Sequence, residues 1–361
     1  MKLTSFRTLG RSGLVVSPLA LGTMTFGNAS WGSADEVSRD IFNAYVDAGG
    51  NFIDTADVYG KGRSEDLVGR YVAERSLRDR LVLATKSSFH FGEPGNANAG
   101  GNGRKHMQRA LEGSLKRLGT DYIDLYWMHV WDRVTPVEEA LQSMGDMVRA
   151  GKIRYFGFSD VPAWYAATAA TLASVHGVPG PIALQLEYSL VERSIEREHL
   201  PAAREFGLGI CPWSPLAGGF LAGKYEREAA DAGASLGASG GTGLGPKGEG
   251  RLTAWKGFKT LSDRHWRVLD AVRTVAAQIN RPMAQVALAW ACAQPGITSP
   301  ILGASQRAHL DDNLASMDIV FPPEQLKTLT DASALDAVFP YNIFTDEVNR
   351  MVFGGATVKG W

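Results

Sequence analysis

Eight short apolar runs, each followed by a longer helical pattern, succeed one another from about residue 16 to about residue 315. This alternation restricts the chain to a parallel sheet joined by crossover helices. The runs are Ser17 to Leu21, Asn51 to Asp54, Leu81 to Thr85, Ile123 to Met128, Ile153 to Phe158, Ala183 to Leu186, Leu208 to Pro212 and Ser299 to Leu302. Helical patterns fall between them: Ala34 to Ala48, Ser64 to Arg75, Arg104 to Leu118, Pro136 to Ala150, Pro162 to Val175, Glu196 to Phe206, Asp263 to Asn280 with Ala284 to Ala293, and Arg307 to Ala315. Eight units in one series favour a closed (β/α)8 barrel over a doubly wound open sheet.

The punctuation agrees. Ser33 before Asp35-Glu36 and Thr135 before Glu138-Glu139 read as helix caps, and Gly49 and Gly151 read as helix stops. Ser5 to Leu9 and Leu14 to Val16 flank Gly10-Arg11-Ser12-Gly13, which predicts a β-hairpin over residues 1–16 that plugs the barrel's bottom. Ala229 to Gly250, after the seventh strand, is rich in Gly, Ala and Ser and is expected to be a flexible loop on the catalytic face, ordered as a lid. Residues 321–361 form an apolar tail expected to fold over the mouth, and the whole chain, 1–361, reads as one barrel domain.

Composition removes several function classes. The 37 basic and 38 acidic side chains nearly cancel, so no field concentrates nucleic acid or an anionic membrane surface, and a small-molecule partner is expected. Cys211 and Cys292 sit in apolar segments without metal-ligand spacing; they read as buried thiols of a cytoplasmic protein, and no metal is expected. Lys2, Arg7 and Arg11 before Leu14 to Leu21 imitate a secretory signal only faintly, since the apolar run is short and holds Pro18. Nothing in the sequence sets an oligomeric state.

Three of the runs end on reactive side chains: Asp54, then Lys86 just past Thr85, then His129 just past Met128. Tyr59 follows the first by five residues. Parallel barrel strands bring such ends to one mouth. One task suits the set: a phenol beside an ammonium handing a proton to a carbonyl oxygen. Phe26, Trp31, Phe89 and Trp131 also follow strand ends and are candidates to line a substrate pocket. Tyr126 and Trp127 read as packing residues.

Over nearly its whole length the chain resembles the aldo-keto reductases. The matching segments are Gly22-Thr23-Met24, Asp54-Thr55-Ala56-Asp57-Val58-Tyr59-Gly60, Lys86, His129-Val130-Trp131-Asp132, Gly157-Phe158-Ser159, Gln185 to Leu190, Trp213 to Gly219 and Leu221-Ala222-Gly223-Lys224. The resemblance implies a barrel that binds NADPH in extended form. It also implies Tyr59 as general acid, Lys86 lowering its pKa, Asp54 paired with Lys86, and His129 orienting the carbonyl. A tyrosine starts near pKa 10 and must fall by roughly two or three units, which a cation within about 4 to 6 Å accomplishes.

By the same resemblance the nicotinamide end meets Gly22, Thr23, Met24, Ser159, position 160 and Gln185, with an aromatic ring from position 213 stacked on it. Ser214, Pro215, Leu216, Gly218 and Lys224 lie along the pyrophosphate; Gly303, Ser305, Gln306, His309 and Asn313 hold the adenosine phosphate. The chain departs from the pattern at two positions, with Asp160 where asparagine is usual and Trp213 where tyrosine or phenylalanine is frequent. Ser305 and Gln306 also stand where a basic residue often grips the 2′-phosphate. That leaves Arg307, His309 or Lys247 to substitute, and NADH as the alternative cofactor.

The reading is therefore an NADPH-dependent reductase of aldehydes or ketones, or the reverse alcohol dehydrogenase, acting on a bulky or multi-ring substrate. A second reading is a cofactor-sensing regulatory subunit resembling the potassium-channel β subunits. A third, a Schiff-base aldolase or dehydratase using Lys86, is poorer because a paired aspartate keeps the lysine protonated. Gly243 to Gly248 matches GxGxxG formally, but it follows no strand and holds Pro246, so it is not a dinucleotide fingerprint. Glu138-Glu139 and Arg78-Asp79-Arg80 read as solvated helix ends.

Overall fold

Strand by strand, the alternation becomes a barrel. The computed structural model describes residues 1–28, 31–90, 95–225, 227 and 261–358; the stretch 229–250, with Lys247, lies outside them. Two short strands, β1 (Arg7–Thr8) and β2 (Val15–Val16), pair antiparallel. The barrel strands are β3 (Ala20–Gly22), β4 (Phe52–Asp54), β5 (Val82–Ser87), β6 (Ile123–Met128), β7 (Ile153–Ser159), β8 (Ala183–Glu187), β9 (Gly209–Trp213) and β10 (Ile301–Gly303). They form one parallel sheet in the order β10-β3-β4-β5-β6-β7-β8-β9. Thr298 N and Ser299 N donate to Ile210 O at 2.8 and 3.3 Å, tying the segment before β10 to β9 and closing the ring. The architecture is a (β/α)8 barrel with an N-terminal hairpin.

Successive residues of a strand point to opposite faces. Phe52, Val82, Ala84, Leu125, Trp127, Ala183 and Cys211 therefore pack together in the barrel interior. Ile53, Leu83, Tyr126, Phe158, Leu184 and Ile210 pack with the helices outside. Leu9 and Val16 of the hairpin are fully buried and join the interior cluster. Gly10 fixes how close the hairpin comes: its φ is +62°, and a Cβ there would lie 2.5 Å from the carbonyl oxygens of Ile182 and Gly207, just ahead of β8 and β9. Any side chain at this position meets both strain and a clash.

Four helices follow the mouth-forming strands: α1 (Asp35–Asp47), α2 (Arg63–Glu74), α3 (Arg104–Leu118) and α4 (Val137–Arg149). Gly49 and Gly151 stand at φ 90° and 72° just past α1 and α4, as their stop role requires. The two expected caps are different. Ala34 and Pro136 hold the N-cap positions without side-chain bonds. The Ser33 hydroxyl donates to Thr25 O at 3.3 Å and lies 2.9 Å from Ser38 Oγ, while Thr135 Oγ1 donates to Asp132 Oδ2 at 2.6 Å. Partners in the adjoining loop and first helical turn took both hydroxyls. Arg78 also departs from a solvated helix end: it pairs with Asp124 at 2.8 Å, donates to Tyr122 O and lies 3.7 Å from the Tyr122 ring centre.

Beyond β10, the tail is tied to the segment that leaves the mouth end of β8. Arg193 donates to Thr330 O and Ser333 Oγ, Arg197 donates to Asp336 O, and the Tyr341 hydroxyl bonds Glu198. The short helix Asp346–Val352 buries none of its side chains. Among the described residues no helix is long and apolar enough to cross a membrane.

Candidate active site

The two-residue period that fills the barrel floor with apolar groups also builds the mouth. One step above Phe52 on β4 stands Asp54, and above Val82 and Ala84 on β5 stands Lys86. Beyond Leu125 and Trp127 on β6 comes His129; Ser159 ends β7 and is in register with Gln185 of β8. The expected strand-end residues meet in one place.

Lys86 is wholly buried and Asp54 is 2% exposed. The Lys86 ammonium pairs with Asp54 Oδ1, donates to Thr55 O at 2.8 Å and donates to the Tyr59 hydroxyl at 3.3 Å. These are the three bonds an ammonium can donate. Burial works to lower the Lys86 pKa, but the Asp54 carboxylate and Tyr59 outweigh it and hold the value above that of an ordinary lysine. The amine stays charged and non-nucleophilic, which removes the chemical basis of a Schiff-base mechanism. Asp54 is held from its other side as well, where Gln185 Nε2 donates to Oδ2 at 2.9 Å.

Tyr59 opens a tight turn after β4 in which Gly60, Lys61 and Gly62 have φ of 57°, 54° and 87°. The turn delivers the half-buried phenol to Lys86. The His129 ring stands edge-on to Tyr59, with centroids 5.8 Å apart, and edge-on to Phe89 at 4.8 Å. Burial, with the Lys86 charge adding to it, pushes the His129 pKa well below the ordinary histidine value, so the imidazole is neutral at physiological pH.

The proposed pocket aromatics divide. Phe89 is 43% exposed beside His129, and Trp131 is half-buried, edge-on to Trp164 at 5.7 Å. Trp31 is half-buried in the loop after β3. Phe26 is wholly buried against Tyr71, 6.4 Å between ring centres, and so belongs to the core between barrel and helices rather than to a pocket wall.

The residues assigned to a cofactor lie along the rim. Thr23 is buried, its amide bonded to Asp54 O, between half-buried Gly22 and Met24. Ser159 is buried, and its hydroxyl has no hydrogen-bond partner among the described residues. A buried hydroxyl left without a partner is costly, and here it stands beside the Gln185 amide, a donor and acceptor set that fits a carboxamide. Trp213 Nε1 donates to Asp160 Oδ1 at 2.9 Å. Ser214 (φ 55°) opens the turn through Pro215 and Leu216, and its Oγ accepts from Gly218 N. Lys224 is half-buried, and desolvation lowers its pKa. Desolvation also lowers the pKa of His309, with the Lys224 charge adding to it.

Gln306 and Gly303 are exposed; Ser305 Oγ lies 3.3 Å from His309 Nδ1, and Asn313 donates to Gly303 O. Arg307, a candidate to grip a phosphate, is paired with Asp311 and Asp40.

Sequence reasoning passed over Asp57. It is wholly buried, and neither carboxylate oxygen has a hydrogen-bond partner among the described residues. Burial, with Glu65 adding to it and Arg117 opposing, pushes its pKa up to about 8. Glu65 itself is buried, held by Arg117 at 2.6 Å and by the Thr85 hydroxyl at 2.5 Å. The missed signal was a second acid three residues after Asp54 on a turn that folds inward.

Residues 18–334 match the model of the aldo/keto reductase family. The chain belongs to that family. Among its relatives, norsolorinic acid reductase of Aspergillus flavus is 33% identical over 342 residues, 92% of this chain and 81% of the relative. Aryl-alcohol dehydrogenase [NADP(+)] of Phanerodontia chrysosporium is 32% identical over 356 residues, covering 92% and 87%. A relative in Oryza sativa subsp. japonica, named "Probable voltage-gated potassium channel subunit beta", is 33% identical over 323 residues, covering 87% and 92%. This aldo/keto reductase is thus an oxidoreductase acting on carbonyl or alcohol groups.

Proposed function

We propose that the protein is a cytoplasmic, NADP(H)-dependent reductase of bulky aryl carbonyls, able to run the reverse alcohol oxidation, with Tyr59 as its general acid. One observation carries the reading: the Lys86 ammonium is shared among Asp54, Thr55 O and the Tyr59 hydroxyl. When bound, NADPH supplies the hydride. Ser159 and Gln185 would hold its carboxamide, Trp213 would flank the ring, and Lys224 with His309 would face the phosphates. Tyr59 gives its proton to the carbonyl oxygen as charge develops there, and Lys86 stabilises the phenolate left behind. Neutral His129 offers a ring N–H that orients the same oxygen. Phe89 and Trp131 give the substrate an aromatic wall, in keeping with relatives named for norsolorinic acid and for aryl alcohols.

A panel of aryl aldehydes, aryl ketones and aryl alcohols, followed by NADPH oxidation or NADP⁺ reduction, tests the reading. Multiple turnovers on aryl members are expected. The rice relative motivates a second reading, a cofactor-sensing subunit. Oxidation of one NADPH per chain and then arrest, across the whole panel, would favour that alternative.

A further inference from the structure

Two positions of this chain depart from the family pattern, and the structure joins them. Asp160 sits where the chain leaves β7, at φ 48°, with its amide bonded to Gln185 O and its carbonyl accepting from Trp131 N. Trp213 ends β9, one strand beyond β8, with Glu187 as its register partner. The Trp213 indole N–H reaches across the mouth to Asp160 Oδ1 at 2.9 Å. Neither common alternative at 213 makes this bond: phenylalanine has no donor, and a tyrosine hydroxyl lies at a different point of the ring.

We propose that Asp160 is a positioning residue for the Trp213 ring, its carboxylate fixing the indole by its N–H so that one face is presented to the nicotinamide. The proposal rests on the reading of this mouth as a nicotinamide site. An indole hinged only at Cβ samples several rotamers; one also held at its far edge keeps a single orientation, so less freedom is lost when the cofactor binds. The bond from a neutral N–H to a carboxylate is of the stronger, charge-assisted kind.

Every charge facing Asp160 bears on that bond. Although the residue lies at the open mouth, the surrounding protein desolvates its carboxylate and lifts its pKa to about 6; Glu187 adds to the rise, while the Trp213 N–H and the Lys86 ammonium oppose it. Protonation replaces the charged acceptor with a weaker neutral one. The clamp therefore loosens as pH falls through about 6, and Trp213→Phe, which removes a donor that favours the carboxylate, raises the Asp160 pKa further.

The test uses the full chain with ¹⁵N-labelled indoles, the Trp213 signal being the one missing from Trp213→Phe, together with NADPH titrations. In Asp160→Ala the Trp213 N–H signal shifts to the position of a free indole, and the NADPH Kd rises about tenfold. Asp160→Asn, whose side-chain carbonyl still accepts, holds Kd within about threefold and keeps the indole signal unchanged between pH 5 and 7. In a Trp213→Phe background, Asp160→Ala changes Kd by less than about twofold, because the partner is already gone. An unchanged indole signal in Asp160→Ala, an Asp160→Asn as weak as Asp160→Ala, or full additivity of the two substitutions would overturn the proposal. A wild type that binds no NADPH would sink the functional reading and the platform role with it, and the indole signal would still show whether the clamp exists.

Discussion

The floor and the mouth of this barrel are built from the same strands, and Asp54 and Lys86 at the mouth are buried as deeply as the apolar floor, yet the two regions perform opposite work. On β4, Phe52 faces the interior wholly buried, and two residues later Asp54 faces it at 2% exposure. On β5, Val82 and Ala84 give way to Lys86, and on β6, Leu125 and Trp127 lead to His129. The floor is held by apolar burial, with even the Trp127 indole N–H left without a hydrogen-bond partner among the described residues. The mouth keeps charges where they ought to be unstable, because Asp54 and Lys86 meet and their remaining lone pairs and protons are bonded. A side chain's distance along the strand, not its depth, decides which rule applies.

If that division is right, damage on the floor should appear as lost stability and damage at the mouth as lost rate. Lys86→Met should show the largest combined effect. The rate of carbonyl reduction should fall by about 10²- to 10⁴-fold with a displaced pH profile. The Asp54 carboxylate, left unpaired, should cost stability of about 3–5 kcal/mol. Adding Asp54→Asn should restore much of the melting temperature and none of the rate. A variant with an unchanged pH profile and only a raised cofactor Kd would reduce Lys86 to a binding residue.

Phe52→Ala, two residues below Asp54, should lower the unfolding free energy by about 3–5 kcal/mol in denaturant melts. Its turnover per folded molecule should stay close to wild type. A large rate loss with an unchanged melt would erase the distinction between floor and mouth.

The smallest expected effect lies at the edge between the two regions. Asp57 shares a turn with Asp54 but has no lysine, and its carboxyl holds a proton up to about pH 8 where an exposed aspartate releases it near 4. Between those values the native state carries a proton that the unfolded chain lacks, so this residue makes stability fall as pH rises. Asp57→Asn should remove that slope and be more stable than wild type at pH 8 by about 1–3 kcal/mol, read from melts at pH 5 and pH 8. Equal slopes in the two proteins would place the ionised acid inside the fold with a partner.

Much of this was legible because strands and their ends leave local marks. The run Ile123 to Met128 and the pattern Arg104 to Leu118 are observed with those very bounds, and Lys86 and His129 were visible as polar residues closing apolar runs. What the sequence hid depends on contacts that the strand and helix patterns do not mark, whether a few residues apart or many. Ser33 and Thr135 look like caps until Thr25 and Asp132 approach them. Phe26 looks like a pocket residue until Tyr71 of α2 covers it. The burial of Asp57 follows from how a turn folds, and the bond from Trp213 to Asp160 spans 53 residues that no local pattern connects. The start of β10 moved for the same reason, since Thr298 and Ser299 close the ring against Ile210 before the strand begins.

The most direct test of the account is single-turnover reduction of an aryl aldehyde by NADPH in Tyr59→Phe, a change that removes the transferable proton and little volume. NADPH should bind with near wild-type affinity while the chemical step slows by about 10²- to 10⁴-fold. Retention of more than about a tenth of the wild-type rate would contradict the account, because the proton would then come from a group other than the phenol held by Lys86.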